Sequence, residues 1–306
     1  MQNLLFLWKV LAKMENLQYR KEYLPYYKRI LLLWGAFIVC LLFVTIITAW
    51  LGSLVGDRLT LIFISSAIQN VCVFILPALL TVYYITPQWP AFLGLKSVPR
   101  LEEVAFVVTM MIVSMPALNY IIHLNESIDL PDSAIETWFR NTEAAARAVT
   151  DVLLGAGSPG ALLLSIAIAG VLTGFGEELF FRGAQQGIFL NRGINGHVAV
   201  WLTAVIFSAL HFQFYGFIPR LLLGAFFGYL AWKGRSLWLP VIAHALNNTL
   251  AIVSGYIALH YPGMAQLDSV GVPSQGGFPV TATVSLCLTI AVACVWGRRL
   301  FARQSR

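Results

Sequence analysis

Long stretches without a charged residue dominate this sequence. Residues 30–55 form a run of 26 positions without a charge, and residues 59–95 contain none either. An α-helix needs about 20 predominantly apolar residues to cross the hydrocarbon core of a bilayer. The pattern therefore predicts membrane-spanning helices rather than the core helices of a soluble domain.

Segments of this kind recur along the whole chain and are separated by short polar stretches. The fold class that they predict is all-α, a polytopic transmembrane helical bundle of about eight spans. The predicted spans are residues 30–55, 60–86, 104–122, 159–190, 197–212, 217–232, 236–258 and 278–297.

Composition supports this class and limits the partners. The chain of 306 residues is 58% hydrophobic and 11% charged, whereas soluble domains carry about 25% charged residues. The four cysteines all fall in predicted spans without metal-ligand spacing, which is typical of small buried apolar residues. The net charge of +6 does not require a nucleic-acid partner, because the basic residues follow membrane topology. The bilayer itself is the partner that the composition predicts.

The distribution of Lys and Arg predicts the orientation. If the N-terminus is cytoplasmic, the cytoplasmic segments hold 16 of the 20 basic residues, including six before the first span and four in the C-terminal tail. The other side holds only Arg58, Arg140, Arg147 and Arg220. This asymmetry is the positive-inside pattern. We therefore expect a multi-pass protein with both termini in the cytoplasm. Its expected location is a bacterial inner membrane.

A long outer loop, residues 123–159, contains a predicted amphipathic helix. Ser133 and Glu136 have the spacing of a capping box. Apolar residues such as Ile135 and Trp138 would lie on the membrane surface. An interfacial anchor is the favoured interpretation, and substrate docking is the alternative.

The fourth span contains charged residues that need an explanation. Glu177, Glu178 and Arg182 lie inside an otherwise hydrophobic segment, where each costs about 2.5–3.5 kcal/mol to insert. Glu178 and Arg182 are four residues apart in the order that favours an ion pair. Glu177 is rotated by about 100°, which leaves it free for chemistry. The alternative is that all three form one buried cluster that only holds helices together.

Two later spans carry further polar residues on apolar faces. The fifth contains His211, and the seventh contains His244 with Asn248 four residues later. A helical hairpin that turns near residues 191–197 would return His211 to the level of Glu177. The fourth helix would then be about 48 Å long, so its polar lower half is expected to line a cavity open to the cytoplasm. The remaining histidines, His123, His197 and His260, are interpreted as structural.

The sixth span contains Gly224 and Gly228 at GxxxG spacing. This spacing allows two helices to approach closely. We interpret the pair as a packing feature rather than a functional one.

Three motifs together, Glu177-Glu178-x-x-x-Arg182, Phe207-x-x-x-His211 and His244-x-x-x-Asn248, resemble the CAAX protease and bacteriocin-processing family of intramembrane proteases. The resemblance covers residues 160–255. It implies peptide-bond hydrolysis within the membrane, with Glu177 and His211 activating a water molecule. It further implies that His244 and Asn248 stabilise the oxyanion and that Glu178 and Arg182 support them.

The resemblance leaves the metal open. Glu177, His211 and His244 are a two-His, one-carboxylate set that could hold zinc. The sequence contains no HExxH motif, and a metal-free glutamate mechanism uses the same residues. We favour the metal-free alternative slightly.

We therefore predict an intramembrane endopeptidase that acts on a membrane-associated or lipidated, CAAX-like protein or peptide. The predicted organisation is an N-terminal membrane region at residues 1–158, a catalytic core at 159–258, and a last span with a basic tail at 259–306. The alternatives are a non-catalytic scaffold or bacteriocin-immunity-type protein and, ranked lower, a proton-coupled transporter.

Overall fold

The computed structural model describes residues 24–154, 158–261, 263–264, 269–273 and 277–302. These residues are almost entirely helical, and none of them forms a β-strand. The predicted all-α bundle of about eight spans is confirmed. The parts of the prediction that concern residues 1–23 and the last arginines of the basic tail lie outside the described residues.

Seven of the described helices are long and apolar enough to cross a membrane, by length and composition, and a further apolar helix is shorter. One short helix and one amphipathic helix lie between them. In chain order the helices are α1 (Tyr26–Leu54), α2 (Arg58–Ile85), α3 (Trp89–Phe92), α4 (Leu101–Glu126), α5 (Ala134–Leu154), α6 (Pro159–Asn191), α7 (Gly196–Ala209), α8 (Phe217–Gly234), α9 (Trp238–His260) and α10 (Val280–Leu300).

The short helix α7 differs from the predicted fifth span, which extended to residue 212. The helix ends at Ala209, so its 14 residues are about 21 Å long. Phe212 has a φ of 53°, in the left-handed region that a right-handed helix cannot contain. His211 therefore lies in the turn between α7 and α8, not on the helix itself.

The core packs on both sides of α6. One hydrophobic cluster joins α1 and α2 to the Leu179–Phe181 stretch of α6. The ring of Phe180 lies 5.2 Å from that of Phe37, and the ring of Phe181 lies 5.2 Å from that of Phe207, between centroids. This aromatic packing fixes the rotation of α6 about its own axis. It therefore also fixes the direction in which the charged side chains just before Leu179 point.

The predicted amphipathic helix of the outer loop is present as α5. The Ser133 hydroxyl accepts a hydrogen bond from the Glu136 backbone N–H at 3.1 Å, which satisfies one of the free donors at the start of the helix.

The helix α5 packs against the turn between α7 and α8. The ring of Trp138 is 5.8 Å from that of Phe212, and Phe139 stacks on Phe214 at 5.0 Å. The Thr142 hydroxyl donates to the Phe212 carbonyl at 3.0 Å. The amphipathic helix therefore covers the turn that carries His211.

The predicted packing role of Gly224 and Gly228 is confirmed. A Cβ atom on Gly224 would lie 3.3 Å from the Ala204 methyl group, and one on Gly228 would lie 3.0 Å from Val200. The two glycines thus let α8 approach α7 closely. They also leave their backbone carbonyls open to side chains from α6.

Candidate active site

The helix α6 is irregular on both sides of the acidic pair. The α-helical stretch Thr173–Glu178 lies between two π-helical segments, Ile166–Leu172 and Leu179–Gln186. Such segments occur often at functional sites, because they widen the helix and free backbone groups. Hydrophobic periodicity did not predict them.

The predicted ion pair between Glu178 and Arg182 is confirmed. Arg182 Nη1 donates to Glu178 Oε1 at 2.7 Å, and both side chains are fully buried. Arg182 Nη2 donates to the Gly224 carbonyl at 2.9 Å, and its guanidinium lies 4.5 Å from the centroid of the Phe207 ring. The pair therefore links α6 to α7 and α8.

His244 joins this pair from α9. Its Nδ1 donates to Glu178 Oε1 at 2.7 Å, and its ring stacks on Phe227 with centroids 5.1 Å apart. These two contacts fix the orientation of the imidazole. As a result, Nε2 is directed towards Glu177, 3.9 Å from its Oε2.

Glu177 differs from its neighbour in its environment. The Glu177 side chain is 10% exposed, whereas the Glu178 side chain is 0% exposed. Glu178 is hydrogen-bonded to Arg182 and His244. The nearest ionic partner of Glu177 is His244 Nε2, which lies beyond hydrogen-bond distance. The geometry therefore leaves the Glu177 carboxylate available to a further group, as the helical spacing predicted.

His211 lies next to the same group of residues. Its Nδ1 donates to the Phe207 carbonyl at 2.8 Å, so Nε2 carries no proton when the ring is neutral. The ring of Phe207 is 5.0 Å from His211 and 6.0 Å from His244, between centroids. Phe207 therefore contacts both imidazoles.

Asn248 lies one turn beyond His244 on α9. Its Nδ2 donates to the Ala169 carbonyl at 3.0 Å, in the first π-helical segment. Since an amide nitrogen carries two hydrogens, one donor remains after this bond. The structure thus places Asn248 on the same face as His244, as its spacing predicted.

The close approach of α6 to α9 depends on Gly174. A Cβ atom at this position would lie 2.9 Å from the Ala245 backbone nitrogen, a contact that requires one of the helices to shift. We therefore expect Gly174→Ala to destabilise the protein by about 1–3 kcal/mol and to lengthen the Glu178–His244 hydrogen bond. Thermal unfolding of the purified protein in detergent measures the first effect.

Gly160 provides the matched control for this substitution. It lies on the same helix, and a Cβ atom there would have nothing within 4 Å. Because alanine favours helix over glycine by about 1 kcal/mol, Gly160→Ala is expected to be neutral or slightly stabilising. Equal unfolding temperatures for the two variants would show that the contact at Gly174 is not restrictive.

Glu177, His211 and His244 are the residues considered for zinc. Within the part of the chain that the structure describes, no three His, Cys, Asp or Glu side chains come together as a group that could hold a metal ion. The Nδ1 atoms of His211 and His244 are both hydrogen-bonded, which leaves Nε2 of each ring as the atom that could bind a metal, and Glu177 Oε2 lies 3.9 Å from His244 Nε2.

Arg220 is a residue of this site that the sequence reasoning missed. It lies in the first turn of α8, and its charge interacts with the carboxylate of Glu177 and with His211. It falls within the predicted sixth span, 217–232, and a charged residue inside a span was the signal that could have identified it.

A cavity of about 950 Å³ opens at the end of the bundle where α6 ends. The polar half of α6 lines it with Arg182, Gln186 and Asn191, as predicted from the length of that helix. Phe92 and Leu230 contribute apolar walls. Among the six candidate site residues, Arg182 lines this cavity, whereas Glu177, Glu178, His211, His244 and Asn248 do not.

Comparison with known proteins identifies one family. Residues 159–250 match the family model described as "Type II CAAX prenyl endopeptidase Rce1-like". No curated protein matches the chain, and no solved structure does. The matched segment contains all seven named residues of the three motifs. The match confirms, for this segment, the resemblance to the CAAX protease family that its motifs indicate.

Proposed function

We propose that this integral membrane protein is an intramembrane endopeptidase in which Glu177 acts as the general base. The observation that carries the proposal is the contrast between the two adjacent carboxylates. Glu178 is bonded to both Arg182 and His244, whereas the Glu177 side chain is 10% exposed and lies 3.9 Å from a histidine nitrogen. A scaffold would need only Glu178, the carboxylate that holds the helices together.

The proposed reaction is attack by a water molecule on a peptide carbonyl. Glu177, with His211 Nε2 as a second acceptor, holds the water and removes its proton as the oxygen bonds to the carbonyl carbon. The proton passes to the leaving nitrogen as the carbon–nitrogen bond breaks. The products are a new carboxyl terminus and a new amino terminus.

The oxyanion that forms during attack needs hydrogen-bond donors. In the proposal, His244 Nε2–H and the remaining Asn248 amide hydrogen supply them. Because Nδ1 carries the hydrogen that bonds to Glu178, donation from Nε2 uses the ring with both nitrogens protonated. A preorganised donor of this kind contributes about 3–4 kcal/mol to transition-state stabilisation.

The proposed mechanism uses no metal, since a carboxylate and a histidine suffice as general bases for the attack of water. Treatment with a chelator is therefore expected to leave the cleavage rate unchanged. A loss of activity that added Zn²⁺ restores would contradict this part of the proposal.

The proposed substrate is a membrane-associated or lipidated protein or peptide with a CAAX-like C-terminus, which enters from the cytoplasmic side or laterally from the bilayer. The family match supports this class, since type II CAAX endopeptidases act on such proteins. We propose that both termini of the chain are cytoplasmic and that the membrane is a bacterial inner membrane.

The direct test compares peptide termini in membranes from cells that carry the native protein or Glu177→Gln at matched levels. Mass spectrometry should detect termini in the first sample that vanish in the second, and these identify the substrate. Identical termini, with both proteins folded, would overturn the protease proposal in favour of a scaffold. Proton-coupled uptake in proteoliposomes would favour a transporter.

A further inference from the structure

The cavity at the end of α6 is separate from the residues that carry the proposed chemistry. Of the candidate site residues only Arg182 lines it, and the two terminal nitrogens of Arg182 are already bonded, one to Glu178 and one to the Gly224 carbonyl. A volume of about 950 Å³ is enough to hold a whole small-molecule ligand. The proposed reaction therefore does not account for a large cavity between membrane-spanning helices.

The mouth of the cavity is cationic. Three basic residues line it at the ends of two spans, Lys233 and Arg235 at the end of α8 and Arg298 near the end of α10. Among the described residues, no aspartate or glutamate lines the cavity, and none forms an ion pair with these three cations. Arg100, at the same end of the bundle, is instead paired with Glu102. The mouth thus carries uncompensated positive charge, which favours an anionic ligand.

Two of these cations have specific conformations. Arg235 has a φ of 51°, in the left-handed region where glycine is usual after the end of a helix. An arginine at a position that suits glycine indicates that its side chain contributes something that glycine could not. The Lys233 ammonium lies 3.8 Å from the centroid of the Trp232 ring, which also lines the cavity. This ring therefore holds the ammonium at the mouth.

The deeper part of the cavity is apolar. Leu230 and Phe226 lie one and two turns before Lys233 on α8, and Phe106 lies more than one turn inside α4. At 1.5 Å per residue, the two α8 residues are about 5–10 Å further from the helix end than the lysine. The cavity thus combines a cationic mouth at the helix ends with an apolar interior, and an anionic phospholipid has the matching polarity.

We propose that this cavity binds one anionic phospholipid from the surrounding leaflet. The phosphate lies between Lys233, Arg235 and Arg298, and an acyl chain lies along the apolar wall. Basic pockets between transmembrane helices bind anionic headgroups in this way. A free phosphate ion lacks the chain that the apolar interior would cover. The inference does not depend on the proposed protease function.

The test counts bound lipid. Delipidated protein in detergent is titrated with dioctanoyl phosphatidylglycerol or with dioctanoyl phosphatidylcholine, which has the same chains and a zwitterionic headgroup. Native mass spectrometry records how many lipids bind. We expect one phosphatidylglycerol to bind at least about 10-fold more tightly than phosphatidylcholine, because each basic residue near the headgroup adds to the attraction. Inorganic phosphate in excess should not displace it.

Substitution of the three cations assigns this preference to the cavity. The triple variant Lys233→Gln/Arg235→Gly/Arg298→Gln should bind the two lipids with equal affinity. Glycine is the replacement at position 235 because it adopts the left-handed conformation without strain. The apolar wall is unchanged in this variant, so weak binding of both lipids should persist.

A matched control separates the cavity from a general attraction to basic surface. The variant Lys28→Gln/Lys96→Gln/Arg192→Gln removes the same charge from the same end of the bundle. These three residues are exposed and do not line the cavity. The control should therefore retain the full preference for phosphatidylglycerol.

Several results would overturn the inference. These are equal binding of the two lipids by the native protein, equal losses in the triple variant and its control, and displacement of the lipid by inorganic phosphate. Displacement by a stoichiometric amount of a farnesylated peptide would make the cavity a substrate site instead. Thermal unfolding shows which variants are folded. If the triple variant is not, Arg235→Gly alone decides, since it should lose part of the preference and full retention would contradict the proposal.

Discussion

Glu178→Ala is expected to lower the free energy of unfolding by about 3–5 kcal/mol. Glu178 Oε1 accepts hydrogen bonds from both Arg182 and His244 at 2.7 Å, and the side chains of the ion pair are fully buried. Removal of the carboxylate leaves the Arg182 guanidinium buried without its counter-charge. It also frees His244 Nδ1, so the imidazole loses its fixed orientation. Thermal or SDS-induced unfolding in detergent measures the change.

Two comparisons test whether burial of the charges, rather than ion pairing as such, causes this loss of stability. Glu102 forms a 2.7 Å ion pair with Arg100 in which both side chains are nearly half exposed, so Glu102→Ala should have a much smaller effect on stability. The double variant Glu178→Leu/Arg182→Met should be more stable than Glu178→Leu alone, since an apolar pair often replaces a buried ion pair without loss. A single Glu178 variant as stable as the native protein would contradict the expectation.

His211→Gln is expected to reduce the cleavage rate by about 10²–10⁴-fold, the usual contribution of a general acid or base. The folded protein should be little affected, because the ring makes a single hydrogen bond, to the Phe207 carbonyl. Glutamine can still donate to that carbonyl, but it cannot take up a proton. Single-turnover cleavage of the substrate identified from the new termini measures the rate.

His197 is the matched control for this variant. It lies at the start of α7, at the opposite end of the helix from His211, and its Nδ1 is 2.7 Å from the Tyr229 hydroxyl. It is exposed and was interpreted as structural, so His197→Gln should change the rate by no more than a few-fold. Full activity of His211→Gln, or equal losses in the two variants, would remove His211 from the mechanism.

Arg220 adds a second arginine to the charges of the site. Arg182 is paired with Glu178, and Arg220 interacts electrostatically with Glu143 of α5 and with Glu177. In a low-dielectric interior an unbalanced charge is costly. These interactions account for an arginine that belongs to none of the three motifs.

The sequence by itself determined the class of the protein and the local chemistry of α6. Long uncharged runs can only be spans, because the bilayer requires apolar side chains and internally satisfied backbone groups. The Glu178–Arg182 pair followed from the spacing of 3.6 residues per turn. The same geometry predicted that Glu177 lies outside this ion pair. Each of these conclusions depends on residues that are near in sequence.

Only the tertiary structure decided how the helices meet. The register of α9 against α6, set by the close contact at Gly174, brings His244 to Glu178 and turns its Nε2 towards Glu177. The position of His211 in a turn, the packing of α5 over that turn and the inward direction of Arg220 likewise depend on contacts between distant segments. Helical periodicity fixes the rotation of a residue about its own helix, but not the depth at which two helices touch. That depth is set by side-chain packing between helices, which a single sequence does not display.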